Sequence, residues 1–149
     1  ETYMDGNTRK WAGLFIQMAG GYLLHREMSH QEMHDKWVEY GEKGLKLVDI
    51  EKYGDQWAGV WIAGEDVVMV RNYETTEFRD KRRELNDKDW RLIDVDTYMD
   101  GNTRKWSGLW EKSSVAEHYI YGYDYCEWLT TYHNAYDDDG YELIDIERY

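Results

Sequence analysis

The chain has 149 residues, 42% of them hydrophobic and 33% charged, which suits one domain with its own core and a solvated surface. A net charge of −13 opposes phosphate backbones and anionic membranes, so neither nucleic acid nor a membrane is an expected partner. With Cys126 as the single cysteine, no internal disulfide and no thiolate metal site can be built, and its helical context predicts a packed thiol.

No stretch reaches the roughly 18 apolar residues of a spanning helix, and no signal peptide is visible. The chain begins at Glu1 rather than Met, as expected of a processed or trimmed protein. Tyrosine (14) and tryptophan (8) far outnumber phenylalanine (2). These rings carry a polar handle on an apolar body and suit half-wet faces as well as a thin core.

In chain order, residues 2–11 read as a hairpin, with Asp5-Gly6-Asn7 as the turn. Trp11-Ala12-Gly13-Leu14-Phe15 continues its second strand. Tyr22-Leu23-Leu24-His25 is β-prone and leads into a helix over 29–43, where Ser29 and Glu32 have capping-box spacing and Gly44 supplies a stop. Leu47-Val48-Asp49-Ile50-Glu51 is the next strand. Gly54-Asp55 turns it back into Trp57-Ala58-Gly59-Val60-Trp61. Val67-Val68-Met69-Val70 precedes a helix over 75–88, ended less firmly by Asp89. Leu92-Ile93-Asp94-Val95-Asp96 follows, then a second copy of residues 2–11 at 97–106, turned at Asp100-Gly101-Asn102 and extended by Trp106-Ser107-Gly108-Leu109-Trp110. Tyr119-Ile120-Tyr121 and a helix over 124–139, with Asp124 and Glu127 as its capping box and Gly140 as its stop, lead to Leu143-Ile144-Asp145-Ile146-Glu147. Met33, Phe78 and Trp128 are equivalent first-turn anchors.

The order repeats with a period of about fifty residues, the range of repeat architectures. The expected fold is α+β: three pseudo-threefold repeats of strand-strand-strand-helix. The first copy lacks its opening strand and the chain ends with one, so the C-terminal strand is expected to pair with the N-terminal strand and close the set. The units are then residues 1–44 with 141–149, residues 45–89, and residues 90–140, within a single domain. A closed monomer leaves no free edge, whereas the same edges paired between molecules give a strand-swapped oligomer.

One hairpin register serves every copy: Asp49 opposite Gly59, Leu47 opposite Trp61, Glu51 opposite Trp57, Asp94 opposite Gly108, Asp96 opposite Trp106, and Asp145 opposite Gly13. Alternation then sets these acids on one face with Trp57, Gly59 and Trp61, while Val48, Ile50, Ala58 and Val60 face the helix-covered core. An acid over a glycine gap, walled by indoles, suits a sugar ring. The candidate ligand-binding residues are Asp49, Asp94 and Asp145 with Trp11, Trp57, Trp61, Trp106 and Trp110. The alternative is structural: the acids bind backbone amides or a neighbouring side chain, and the tryptophans are packing.

His30 and His34 have the i, i+4 spacing of a metal pair but do not recur, and read as a solvated helix face. Asp137-Asp138-Asp139 lacks the alternation of a calcium loop. His118 and His133 also stand alone. No metal, cofactor or catalytic group is expected.

The order of motifs resembles the bacterial tandem repeat family found also in the non-catalytic N-terminal domain of polyglycine hydrolases. The resemblance rests on Gly140-Tyr141-Glu142-Leu143-Ile144-Asp145, on Trp106-Ser107-Gly108-Leu109-Trp110-Glu111, and on His25-Arg26-Glu27-Met28-Ser29. The last matches an Arg-His-Gly-hydrophobic-Ser/Thr step into a helix, and its equivalents are taken as Arg71-Asn72 and Tyr121-Gly122. The resemblance implies a repeat scaffold without catalysis. The function expected is a non-enzymatic binding or interaction module with a carbohydrate or protein partner, or else a purely structural scaffold.

Overall fold

The computed structural model describes residues 2–11, 20–65, 67–115, 117, 119, 122, 124–133, 136 and 141. Two units of the same plan follow one another. The first consists of β3 (Tyr22–Met28), α1 (His30–Gly41), β4 (Leu45–Tyr53) and β5 (Gln56–Ala63). The second consists of β6 (Val67–Glu74), α2 (Thr75–Asn86), β7 (Trp90–Asp100) and β8 (Thr103–Lys112). Each sheet is antiparallel with the hairpin's return strand in the centre, in the orders β3-β5-β4 and β6-β8-β7. Before them lies the hairpin of β1 (Thr2–Asp5) and β2 (Thr8–Trp11), and after them α3 (Tyr125–His133). The described residues are thus mixed helix and strand, as the α+β reading expects.

Local chemistry sets the ends of the elements. The Ser29 hydroxyl accepts from Glu32 N at 3.2 Å and the Glu32 carboxylate accepts from Ser29 N at 2.8 Å, completing the capping box of α1. Asp124 and Glu127 do the same for α3 at 2.9 and 3.1 Å. The sequence reading missed a third acid in this role: Glu77 accepts from Glu74 N at 2.9 Å at the start of α2. Gly44 ends the first unit's helix turn at φ 74, and Asp89 takes the same left-handed conformation at φ 58. Met33 and Phe78 are buried as anchors, and Trp128 is half-buried.

The duplicated ten residues adopt one register twice. Thr2 opposes Trp11 and Asp5 opposes Thr8, as Thr97 opposes Trp106 and Asp100 opposes Thr103. Each two-residue turn has a left-handed glycine first, Gly6 and Gly101, and Gly54 does the same between Tyr53 and Gln56.

The expected hairpin register holds at one end and fails at the other. Leu47 does oppose Trp61, but a bulge between Leu47 and Asp49 moves the rest by one residue. Asp49 meets Val60, Ile50 meets Gly59 and Glu51 meets Ala58; Trp57 pairs with Lys52. The second unit repeats the shift: Asp94 meets Leu109 rather than Gly108, and Asp96 meets Ser107 rather than Trp106. An extra residue reverses the alternation beyond it. Leu47 and Ile50 therefore both face the helix, and so do Leu92 and Val95, giving β4 a buried residue every third position instead of every second.

The tryptophan face is consequently the helix-covered one, which corrects the expected assignment of faces. Trp57 and Trp61 are fully buried with Leu47, Ile50 and Met33. Trp106 and Trp110 are buried with Phe78, Leu85, Leu92 and Val95. The glycine between each pair makes the packing fit. A Cβ on Gly59 would sit 2.8 Å from the Trp61 ring and 2.9 Å from Leu47; on Gly108 it would sit 2.9 Å from Trp110 and 3.0 Å from Phe78. The glycine is the floor on which the following indole folds back.

Candidate functional site

With the indoles under the helices, the acids of β7 are turned the other way, toward the first unit. Strand β4 pairs with β5 on one side only, which leaves alternate amides on its outer edge. Asp94 Oδ2 accepts from Ile50 N at 2.9 Å, and Asp96 Oδ2 accepts from Lys52 N at 2.8 Å. Two carboxylates thus stand where the carbonyls of a further strand would stand, and cover an edge that would otherwise template pairing.

Other contacts cross the same seam. Lys46 pairs with Glu111 at 2.8 Å, with both side chains about a quarter exposed. The Arg71 guanidinium donates to His30 O at 2.9 Å and lies 5.2 Å from the centre of the Trp57 ring. Val67 and Leu109 of the second unit are buried in the first unit's core cluster, so the second sheet is covered on both faces.

Burial dominates the electrostatics of the seam. The Asp96 carboxyl is pushed up from 3.8 to about 7, by desolvation first and then by the Glu51 carboxylate, against the pull of amide bonds from Lys52 and Thr97. Tyr98 is raised to about 12, chiefly by burial. His30 is lowered by burial, then by the charges of Arg71, His34 and Lys52. Hydrogen bonding from Lys46 leads the lowering of Glu111.

The step into each helix carries a second recurrent device. Glu27 (φ 62), Asn72 (φ 63) and Gly122 (φ 75) are left-handed, and each stands two residues before the residue that opens a helix: Ser29, Glu74 or Asp124. Tyrosines from the neighbouring hairpin hold two of them. Tyr53 OH accepts from Glu27 N at 2.6 Å, and Tyr98 OH donates to Asn72 Oδ1. The ladder also corrects the sequence alignment by one position. His25 and Val70 oppose Gly59 and Gly108, so Arg71 is the counterpart of Arg26 and Asn72 that of Glu27.

The structure separates the predicted sugar site into its parts. Trp57, Trp61, Trp106 and Trp110 are at most 3% exposed and offer no ring wall to a ligand. Asp94 is spent on a main-chain amide, and Asp49, half-buried, lies opposite Val60. The Trp11 side chain, Gly13, Asp145, Gly140, His118, residues 137–139 and the closing strand 143–147 lie outside the described residues. Among the histidines, His25 Nε2 is 2.7 Å from Tyr40 OH and its ring packs on Tyr40 and Trp61. His30 faces Asn72, and His34 lies beside Trp37. Among the described residues no three histidine, cysteine or acidic side chains gather as metal ligands. Cys126 is exposed on α3, not packed as expected.

No curated protein and no solved structure matches the chain. The polyglycine hydrolase-like structural repeat matches it twice, over residues 19–63 and 64–113. Each match takes in one of the two strand-helix-hairpin units, the first from before β3 to the end of β5 and the second from before β6 to just past β8. Together the two spans cover more than half of the sequence, and the chain belongs to the polyglycine hydrolase-like structural repeat family.

Proposed function

We propose that the chain is a non-enzymatic scaffold whose working surface is the seam between successive units. The observation that carries this reading is the pair of carboxylates, Asp94 and Asp96, on the edge amides of the preceding unit. The residue types that produce the pair are present three times in the sequence: Asp49 and Glu51, Asp94 and Asp96, Asp145 and Glu147. We extend the reading to a third unit, formed by residues 114–149 together with 1–18, that closes on the other two. The identical register of the two ten-residue hairpins supports this, as does Arg9, which lies 5.3 Å from the centre of the Tyr53 ring and so joins the β1–β2 hairpin to the first unit. The capping box and left-handed Gly122 ahead of α3 match those of the other units.

Mass in solution tests closure. Light scattering should give one chain's mass, 18.0 kDa, at every concentration. Mass that rises with concentration would replace closure with strand exchange between molecules. The seam itself is tested by Asp94→Ala/Asp96→Ala, which should loosen the two units from each other, read as faster amide exchange at Ile50 and Lys52.

A further inference from the structure

We propose that Tyr22 and Tyr132 form the last of three matched contacts, in which the first strand of each unit meets the helix of the unit before it. The pair rests on the reading of a third unit formed by residues 114–149 with 1–18, and adds the surface through which that unit meets the first. The ladders align the first strands: Leu23 opposes Trp61 as Val68 opposes Trp110, so Tyr22 stands where Val67 stands and Leu24 where Met69 stands. Counting back equally from the left-handed steps at Glu27, Asn72 and Gly122 brings Glu117 to the position of Tyr22 and Val67, and Tyr119 to that of Leu24 and Met69. The helices align through their anchors Met33, Phe78 and Trp128, so Trp37, Arg82 and Tyr132 are equivalents one turn later.

Two of the three contacts are present among the described residues. At the first junction Val67 is buried in the first unit's core cluster, on which Trp37 and Met69 also pack. At the second, the Glu117 carboxylate is buried 2.6 Å from Arg82 Nε. Its other oxygen accepts from Leu92 N at 2.5 Å. Tyr119 follows it onto α2, its ring centre 5.0 Å from the Arg82 guanidinium and 6.4 Å from the Phe78 ring. The same two positions thus carry an apolar residue and an indole at one junction, and an acid and an arginine at the other. The remaining first strand opens with Tyr22, 58% exposed, and Leu24 beyond it is also exposed. The remaining helix carries Tyr132, half-buried and stacked on Trp128 and Tyr136 with ring centres at 5.4 and 6.1 Å. Two phenols offer flat apolar bodies with polar tips, so their contact buries carbon while both hydroxyls stay in water. Exchanging partners between junctions would set Glu117 against an indole or a phenol, or Arg82 against an apolar residue. The three pairs therefore fix which unit follows which.

Cysteine trapping in the intact chain tests the pair. With Cys126→Ser as background, Tyr22→Cys/Tyr132→Cys should be joined by a short bismaleimide into a product of one chain. A joined product of two chains would keep the pair and overturn closure within one molecule. Thiols that both react but are never joined would overturn the pair, whatever the mass in solution says of closure. Transplanting the second junction's residues onto the third is an independent measure. Tyr22→Glu and Tyr132→Arg should each lower the folded-to-unfolded ratio in urea, and the double variant should recover about tenfold of the combined loss. Losses that simply add would also overturn the pair.

Discussion

The two units share a backbone plan but differ in how they are covered. In the second, Val67 and Leu109 on the outer sheet face are 4% and 0% exposed because the first unit lies against them. In the first, Tyr22 at the position of Val67 is 58% exposed, and Val60 at the position of Leu109 is only half-buried. The first-turn anchor is Met33 in one and Phe78 in the other. The Trp106 indole donates to Thr75 at 2.9 Å, whereas His30 stands at the position of Thr75 and the Trp57 Nε1 has no hydrogen-bond partner among the described residues. What stays constant is the bulge, the glycine under the second tryptophan, the left-handed step before the helix and the outward acids. Those features define the unit; the anchor and cap residues are negotiable.

Several substitutions would break or sharpen this comparison. The largest effect is expected at the glycine floor. Gly59→Val and Gly108→Val should each destabilise by about 2–3 kcal/mol, because the indole above cannot move without unpacking its helix. Urea unfolding that shows a loss in only one unit would mean the floor is not shared. Next comes the seam: Asp94→Ala/Asp96→Ala leaves two edge amides unpaired and should cost about 1–3 kcal/mol.

Asp96→Asn separates charge from hydrogen bonding. The folded-state value of Asp96 is raised from 3.8 to about 7, so within that window the folded chain keeps a proton that the unfolded chain releases. Stability from this group is therefore greatest on the acid side and declines as the pH rises toward 7. Asparagine keeps an acceptor for Lys52 N and removes the slope, and should stabilise the chain by about 1–2 kcal/mol at pH 8. Melting temperatures of the two proteins from pH 4 to pH 8 should diverge as pH rises; parallel curves would place the titration elsewhere. The smallest effects are at single hydrogen bonds. Ser29→Ala should cost about 1 kcal/mol through its cap, and Thr75→Val about 0.5–1.5 kcal/mol through the Trp106 indole. The latter loss has no counterpart in the first unit.

The sequence announced its period, its turns and its helix starts because each of these is carried by a residue with a local preference. Gly6 and Gly101 need left-handed backbone, and Ser29 with Glu32 needs only three residues of spacing. The bulge was not legible. Val48 and Ile93 are ordinary β-branched residues, and nothing in their type says that they stand outside the ladder. Missing one residue moved the four described acids, Asp49, Glu51, Asp94 and Asp96, to the wrong partners and exchanged the two faces of the sheet. Glu27 and Asn72 hid the left-handed step for a similar reason, since glycine marks that position only at Gly122. The acids were recognised as repeated, but their partners are main-chain amides, which carry no sequence signature.

The carboxylate-to-amide seam also has a direction. At the described seam the second unit offers side-chain acceptors and the first offers main-chain donors, so the two contribute unlike groups to one contact. Assembly is thereby polarised like a one-way clasp. The order of the two units is written in unlike polar groups, beside the apolar packing of Val67 and Leu109.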